Sequence, residues 1–159
     1  APVIEYNSKL DFELDTSKVG NSEMHHLDFA YASSLIRTFM EDSTLVLTIR
    51  GRKYTPEFAF QVGNQKLEVS GVQTEVDAGY EGKDKIVLAE AKNSSTDNTI
   101  IRQLYYPFRQ WQHHTNKKVF TLFFEKSNDG TYSIWQFEFK NKNNYNSIAL
   151  IKSERFKII

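Results

Sequence analysis

The stretch Glu75-Val76-Asp77-Ala78-Gly79-Tyr80-Glu81-Gly82-Lys83-Asp84-Lys85-Ile86-Val87-Leu88-Ala89-Glu90-Ala91-Lys92 decides the fold. Two β-prone runs flank a short polar turn, so it reads as a hairpin. With Lys83-Asp84 at the centre of the loop, Asp77 lies opposite Glu90 and Glu75 opposite Lys92. Opposed residues on one sheet face bring their Cβ atoms to about 4.5–5.5 Å, near enough for two carboxylates to share a cation. A loop one residue longer would turn one carboxylate to the other side. In the second run Ile86, Leu88, Glu90 and Lys92 share one face, and Val87, Ala89 and Ala91 the other. Both faces are apolar at the start, as in a strand buried on both sides. An acid and an ammonium where such a strand emerges need partners, either each other or a metal.

Working outward, Met24, Leu27, Tyr31, Leu35 and Phe39 recur at helical spacing and predict one helix from Asn21 to about Asp42. Asn21 or Ser22 caps it, with Glu23 in its first turn. Strands are expected at Thr44–Arg50, Glu57–Val62, Lys66–Ser70 and Gln73–Gly79, ahead of the run ending at Lys92. A second helix begins at Ser95, Thr96 or Asp97 and carries Ile101, Leu104, Tyr105, Phe108 and Trp111, with Pro107 kinking or dividing it. Lys118–Glu125 and Thr131–Lys140 are strands joined by a turn with Asp129-Gly130, and a last strand lies in Ser147–Ile151. This order gives an α/β (α+β) fold, a central mixed β-sheet flanked by helices, in a single domain spanning 1–159.

Composition narrows the function. Hydrophobic residues are 40% and aromatics 14% of 159 residues, which excludes disordered and low-complexity classes. The absence of cysteine removes disulfides, thiolate zinc sites and cysteine nucleophiles, and favours a reducing cytoplasm. The apolar runs Ile148–Ile151 and Val119–Phe124 are far too short to span a membrane. Twenty basic against twenty acidic side chains leave no net charge to draw in nucleic acid, although a carboxylate cluster in a nuclease would offset its basic residues.

Two carboxylates and a lysine within a few ångströms suit metal-assisted hydrolysis of a phosphodiester, with hard oxygen ligands suited to Mg²⁺. Asp77, twelve residues, then Glu90-Ala91-Lys92, on adjacent strands with a helix before and after, resembles the PD-(D/E)xK nuclease superfamily, which includes many restriction endonucleases. The resemblance implies a restriction-endonuclease-like fold, Asp77 and Glu90 as metal ligands and Lys92 as the catalytic lysine, with Mg²⁺ as cofactor and Mn²⁺ as a substitute. Val76 stands where the motif has proline, a position without a chemical role. Glu23 is similar in placement to an acid that some members add to the site. Gln103 with Tyr106 resembles a Gln-x-x-x-Tyr element of other members, one residue short. The run Gly71–Asp77 with Gln103–Pro107 is similar to the nuclease part of prokaryotic type II restriction enzymes, which implies a cytoplasmic prokaryotic protein acting on DNA.

Around this centre several residues carry two readings. Glu75 is a third ligand or the ion-pair partner of Lys92; Glu23 is foremost a first-turn charge; Gln103 bonds a site residue or lies exposed. Arg50, Arg52 and Lys53, with Asn93, Arg102 and Arg109, are candidates for phosphate contact or belong to solvated surface. The pairs His25-His26 and His113-His114 lack metal-ligand spacing. The expected function is a Mg²⁺-dependent DNA endonuclease, with a repair or recombination nuclease, or a binding module without catalysis, as alternatives. A neutral chain that begins without Met and has no helix-turn-helix suggests the catalytic part of a longer protein with a separate DNA-recognition domain. The competing expectation is that loops around Arg50–Lys53 and Asn141–Asn146 read the target, with the protein acting as a homodimer.

Overall fold

A computed structural model describes residues 2–16, 22–91 and 97–159. The elements run β1 (Val3–Tyr6), α1 (Glu23–Ala32), α2 (Leu35–Met40), β2 (Val46–Tyr54), β3 (Phe58–Val62), β4 (Gln65–Val69), β5 (Gln73–Glu81), β6 (Lys85–Ala91), α3 (Asp97–Gln112), β7 (Lys118–Lys126), β8 (Thr131–Phe139) and β9 (Ile148–Ile158). Seven strands form one mixed sheet in the order β1-β9-β8-β7-β6-β5-β2, and β3 and β4 form a separate ribbon. The expected α+β class with a mixed sheet holds. β2, β5 and β6 are successive antiparallel neighbours, and β7 returns parallel to β6 after the α3 crossover.

The central strands are apolar on both sides because both sides are covered. Val87, Ala89 and Ala91 join Ala78 and Tyr80 beneath α1 and α2, where Leu27, Leu35, Ile36 and Phe39 are buried. Ile86 and Leu88 face the opposite layer, built from Leu104, Tyr105 and Phe108 of α3 and Phe60 of the ribbon. At about 25 cal/mol per Å² of apolar surface, these two layers supply most of the drive to fold.

Three expectations are corrected. The single helix expected from Asn21 to Asp42 is two, because Ser34 takes a left-handed conformation (φ 65°) between α1 and α2. Serine competes with helix through its own hydroxyl, and the Ser33 carbonyl is drawn to the Tyr6 hydroxyl at 2.9 Å. Of the two proposed caps, Ser22 accepts the His25 N–H; Asn21 lies outside the described residues. Pro107 does not divide α3, which runs through it to Gln112. The last strand extends to Ile158 instead of stopping at Ile151, paired with β8 on one side and with the unexpected short β1 on the other.

Candidate functional site

The β5–β6 hairpin has the expected register, with Ala78 paired to Ala89 and Tyr80 to Val87, which brings Asp77 to Glu90. β5 departs from regular geometry there. Along β2, Ile49 pairs with Gly79 and Gly51 with Val76, so two steps on β2 face three on β5. The surplus residue is a bulge at Asp77-Ala78, and Gly51 accommodates it from the partner strand with φ 94°. A bulge redirects a side chain and interrupts pairing. Here the Asp77 carboxylate turns onto β6 and accepts the Ala91 N–H at 2.8 Å, in place of a backbone partner. From the other side, Arg50 donates through Nε to the Asp77 carbonyl at 3.0 Å while its guanidinium end grips Asp28 on α1.

The Glu90 carboxyl stands beside Asp77, close enough for the Asp77 backbone and carboxyl both to shift it. Two acids in contact cannot both ionise freely. Burial first, and then the Asp77 charge, pushes the Glu90 carboxyl well above its ordinary range, to about 9. Asp77 is also raised, chiefly by burial, against the pull of the Ala91 N–H. Glu90 is thereby pushed towards its neutral form, and a cation could take the place of its proton. Glu75 adds negative potential to both.

Further acids approach from the helix layer. Glu23 is raised by partial burial and by repulsion from Asp77 and Glu125. Glu23, His26 and Glu125 line a cavity of about 150 Å³ together with Ala91, Phe124 and Lys126. Sequence reading overlooked Glu125 as a site neighbour. Its signal lies in the β6–β7 register, where Ala91 pairs with Phe124, the residue just before it. Asp28, the anchor of Arg50, was likewise overlooked, since nothing local marks an exposed helix acid as the partner of a strand arginine.

The remaining expected residues divide. Gln103 does approach the centre, lining a small hollow with Glu90, Val76 and Pro107. Tyr106 instead packs on Phe58, Phe60 and Tyr145, so the Gln103–Tyr106 pair does not act together at the site. Glu75 lies across from Arg52 of β2, in a loose, exposed ion pair of 3.9 Å. Arg50 is bonded to Asp28 and to the Asp77 carbonyl. Lys53 is exposed on the edge strand, and Arg102 stacks its guanidinium over Tyr106 at 4.9 Å. Lys92 and Asn93 lie outside the described residues. Among the described residues no three His, Asp or Glu side chains converge to hold a metal ion. Nor is any described helix long and apolar enough to cross a membrane. A larger hollow of about 760 Å³ under the N-terminal segment has its acids, Asp11 and Glu13, exposed and lacks the burial that perturbs Asp77 and Glu90.

Over residues 3–157 the chain matches the family model described as Domain of unknown function (DUF6997), and it belongs to that family. No curated protein and no solved structure matches it.

Proposed function

We propose that this member of the DUF6997 family is a metal-dependent DNA endonuclease of restriction-endonuclease-like architecture, with Asp77 and Glu90 at its centre. One observation carries the reading: two partly buried carboxyls from adjacent strands stand side by side, one aimed by a bulge and held by the Ala91 N–H. Structural acids are normally given a cation or exposed; a like-charged pair under burial marks a site with a task. The element order supports the same reading, since a helix precedes the antiparallel β2, β5 and β6, and α3 then leads to the parallel β7.

The donor set fits Mg²⁺, which takes one or two carboxylates and completes its shell with water and phosphate oxygens. Asp77 and Glu90 would hold it, and when bound it would polarise the scissile phosphate and acidify a water. The chain's own part is positional. The Ala91 N–H orients Asp77, and Arg50 fixes the bulge that carries it. Gln103 closes the side towards α3. Lys92, next in sequence after Ala91, is the residue proposed to assist proton transfer or stabilise charge developing on phosphate.

The test is cleavage of supercoiled plasmid with Mg²⁺ or with EDTA. Cleavage should need the metal and fall at least about a hundredfold in Asp77→Ala, Glu90→Ala and Lys92→Ala. Calorimetry should show Mg²⁺ affinity lost in the two carboxylate variants and kept in Lys92→Ala. An intact plasmid under every divalent cation, or unchanged Mg²⁺ affinity in Asp77→Ala and Glu90→Ala, would refute the assignment.

A further inference from the structure

Beyond the carboxylate centre, the ribbon β3–β4 and the loop 140–147 form a second built surface. Phe58, Phe60 and Val62 turn the inner side of the ribbon onto the α3 layer, leaving Ala59, Gln61, Lys66 and Glu68 on its outer side. The loop is pinned to β3 by one isolated bridge: the Gln61 N–H donates to the Asn143 carbonyl at 2.6 Å, and the Tyr145 N–H to the Gln61 carbonyl at 2.8 Å. The Gly63 N–H donates to the Asn146 Oδ1 at 3.0 Å. Underneath, the Lys142 carbonyl accepts from the Tyr105 hydroxyl at 2.8 Å and the Arg109 Nη1 at 3.0 Å. Asn141 and Asn144 each spend a side-chain oxygen on a backbone N–H two residues on. A polar segment that would otherwise sample many conformations is thus fixed through its backbone.

The Gln61 Nε2 donates to the Gly63 carbonyl at a long 3.4 Å, which leaves its carboxamide oxygen open. Gln61, Lys66, Asn141, Asn143 and Asn144 line an open cleft of about 490 Å³ between ribbon and loop. The Asn143 carboxamide and the Lys66 ammonium have no hydrogen bond or ion pair among the described residues.

We propose that this surface reads base edges in the major groove of duplex DNA and gives the nuclease its sequence preference; the proposal rests on the nuclease reading above. A carboxamide offers a donor and an acceptor in one plane, matching N6 and N7 of adenine, and the major groove admits a two-stranded β-ribbon. Lys66 and Lys142 supply charge for flanking phosphates, while Glu68 on the same outer side offsets indiscriminate phosphate attraction. Because the backbone is already fixed, binding need not order it, which favours discrimination between sequences. Placement also suits the task. The ribbon leaves the β2–β5 ladder at Tyr54 and Gln73. The ribbon thus packs on the same α3 layer that Ile86 and Leu88 of β6 face, the strand that carries Glu90.

The experiment is selection of bound sequences from a randomised duplex library by the full chain in Ca²⁺, followed by cleavage of the selected duplexes in Mg²⁺. The parent should enrich a motif. Asn143→Ala and Gln61→Ala should each flatten the preference at particular positions by about tenfold. Lys66→Ala should weaken all sequences alike and reduce the slope of log affinity against log salt by about 1. Asp77→Asn should keep the motif and lose cleavage. An unchanged motif and discrimination in both amide variants, with cleavage intact in the parent, overturns the reading surface alone, as does cleavage without sequence preference. Failure of the parent to bind or cut any duplex overturns the surface and the nuclease reading together.

Discussion

The two ends of the β5–β6 hairpin are built from the same kinds of residue and use charge in opposite ways. At the turn end Glu81 and Asp42 each meet a cation. Lys117 Nζ lies 2.7 Å from Glu81 and 3.0 Å from the Gly82 carbonyl, and Lys85 lies 3.4 Å from Asp42. Asp42 is held below its ordinary range, first by hydrogen bonds from the Thr44 hydroxyl and N–H and then by Lys85. At the open end Asp77 and Glu90 face each other with Glu75 and Glu23 nearby, and all the resolved shifts are upward. Neutralising charge should therefore have opposite consequences at the two ends. The turn end stabilises the fold; the open end holds unfavourable charge that a ligand can relieve.

The largest effect expected from that contrast is on activity. Glu90→Gln should lower Mg²⁺-dependent cleavage at least about a hundredfold, whereas Glu81→Gln should leave it within about twofold while destabilising the protein by up to about 1 kcal/mol. Comparable losses of cleavage at both ends would erase the distinction. Next in size is the response to metal. If a divalent cation displaces the Glu90 proton, Mg²⁺ at a hundred times its dissociation constant should stabilise the parent by about 2.7 kcal/mol. That is about 5–10 °C in Tm for a domain of this size, and Glu90→Gln should lose most of it. Scanning calorimetry with and without Mg²⁺ measures both, and equal shifts in the two proteins would place the metal elsewhere.

The third consequence concerns stability without metal. Glu90 has an ordinary value of 4.5 and is raised to about 9 in the fold. Between those values the folded chain keeps a proton that the unfolded chain has released, so stability is greatest below about 4.5 and falls as pH rises through about 9. Glu90→Gln sets a neutral amide, able to donate, beside the Asp77 carboxylate. It should be more stable than the parent at pH 8 by about 1–3 kcal/mol, and the gap should close by pH 4. Asp42 has the opposite sign: its contribution is present above its ordinary value of 3.8 and is lost as pH falls through its lowered folded value. Urea denaturation of the parent, Glu90→Gln and Asp42→Asn across pH would separate the two ends. A Glu90→Gln variant less stable than the parent at pH 8 would break the account.

What the sequence made legible follows the strength of its local signals. Alternating apolar faces and a polar turn specify the β5–β6 register, and with it the meeting of Asp77 and Glu90. The bulge that aims Asp77 was hidden, because it depends on how β2 lies against β5, and Gly51 alone does not announce it. β1 was missed because four mostly exposed residues acquire strand character only by pairing with a β9 that is distant in sequence. The partners of Arg50, Asp28 and the Asp77 carbonyl, come from a helix and from the neighbouring strand, so nothing near Arg50 in sequence announces them. Such contacts are fixed by tertiary packing, which local pattern does not encode.

The smallest effect sharpens the boundary of the acidic centre. Glu75 projects from the same end and contributes negative potential to both acids, but it is exposed and sits 3.9 Å from Arg52 on β2. Exposed pairs of that kind contribute about 0–1 kcal/mol, and solvent screens their reach. Glu75→Gln should change stability by less than about 0.5 kcal/mol and lower the apparent pKa values of the Asp77–Glu90 pair slightly, since one repelling charge is gone. NMR titration of the side-chain carboxyl carbons would follow that shift, and it should shrink as salt is raised from low to physiological strength. Mg²⁺ affinity should fall by less than about threefold, the loss of a nearby charge and not of a ligand. A drop of tenfold or more that persists at high salt would show that Glu75 ligates directly. The centre would then be a triad, and the Arg52 contact would be one that opens when metal arrives.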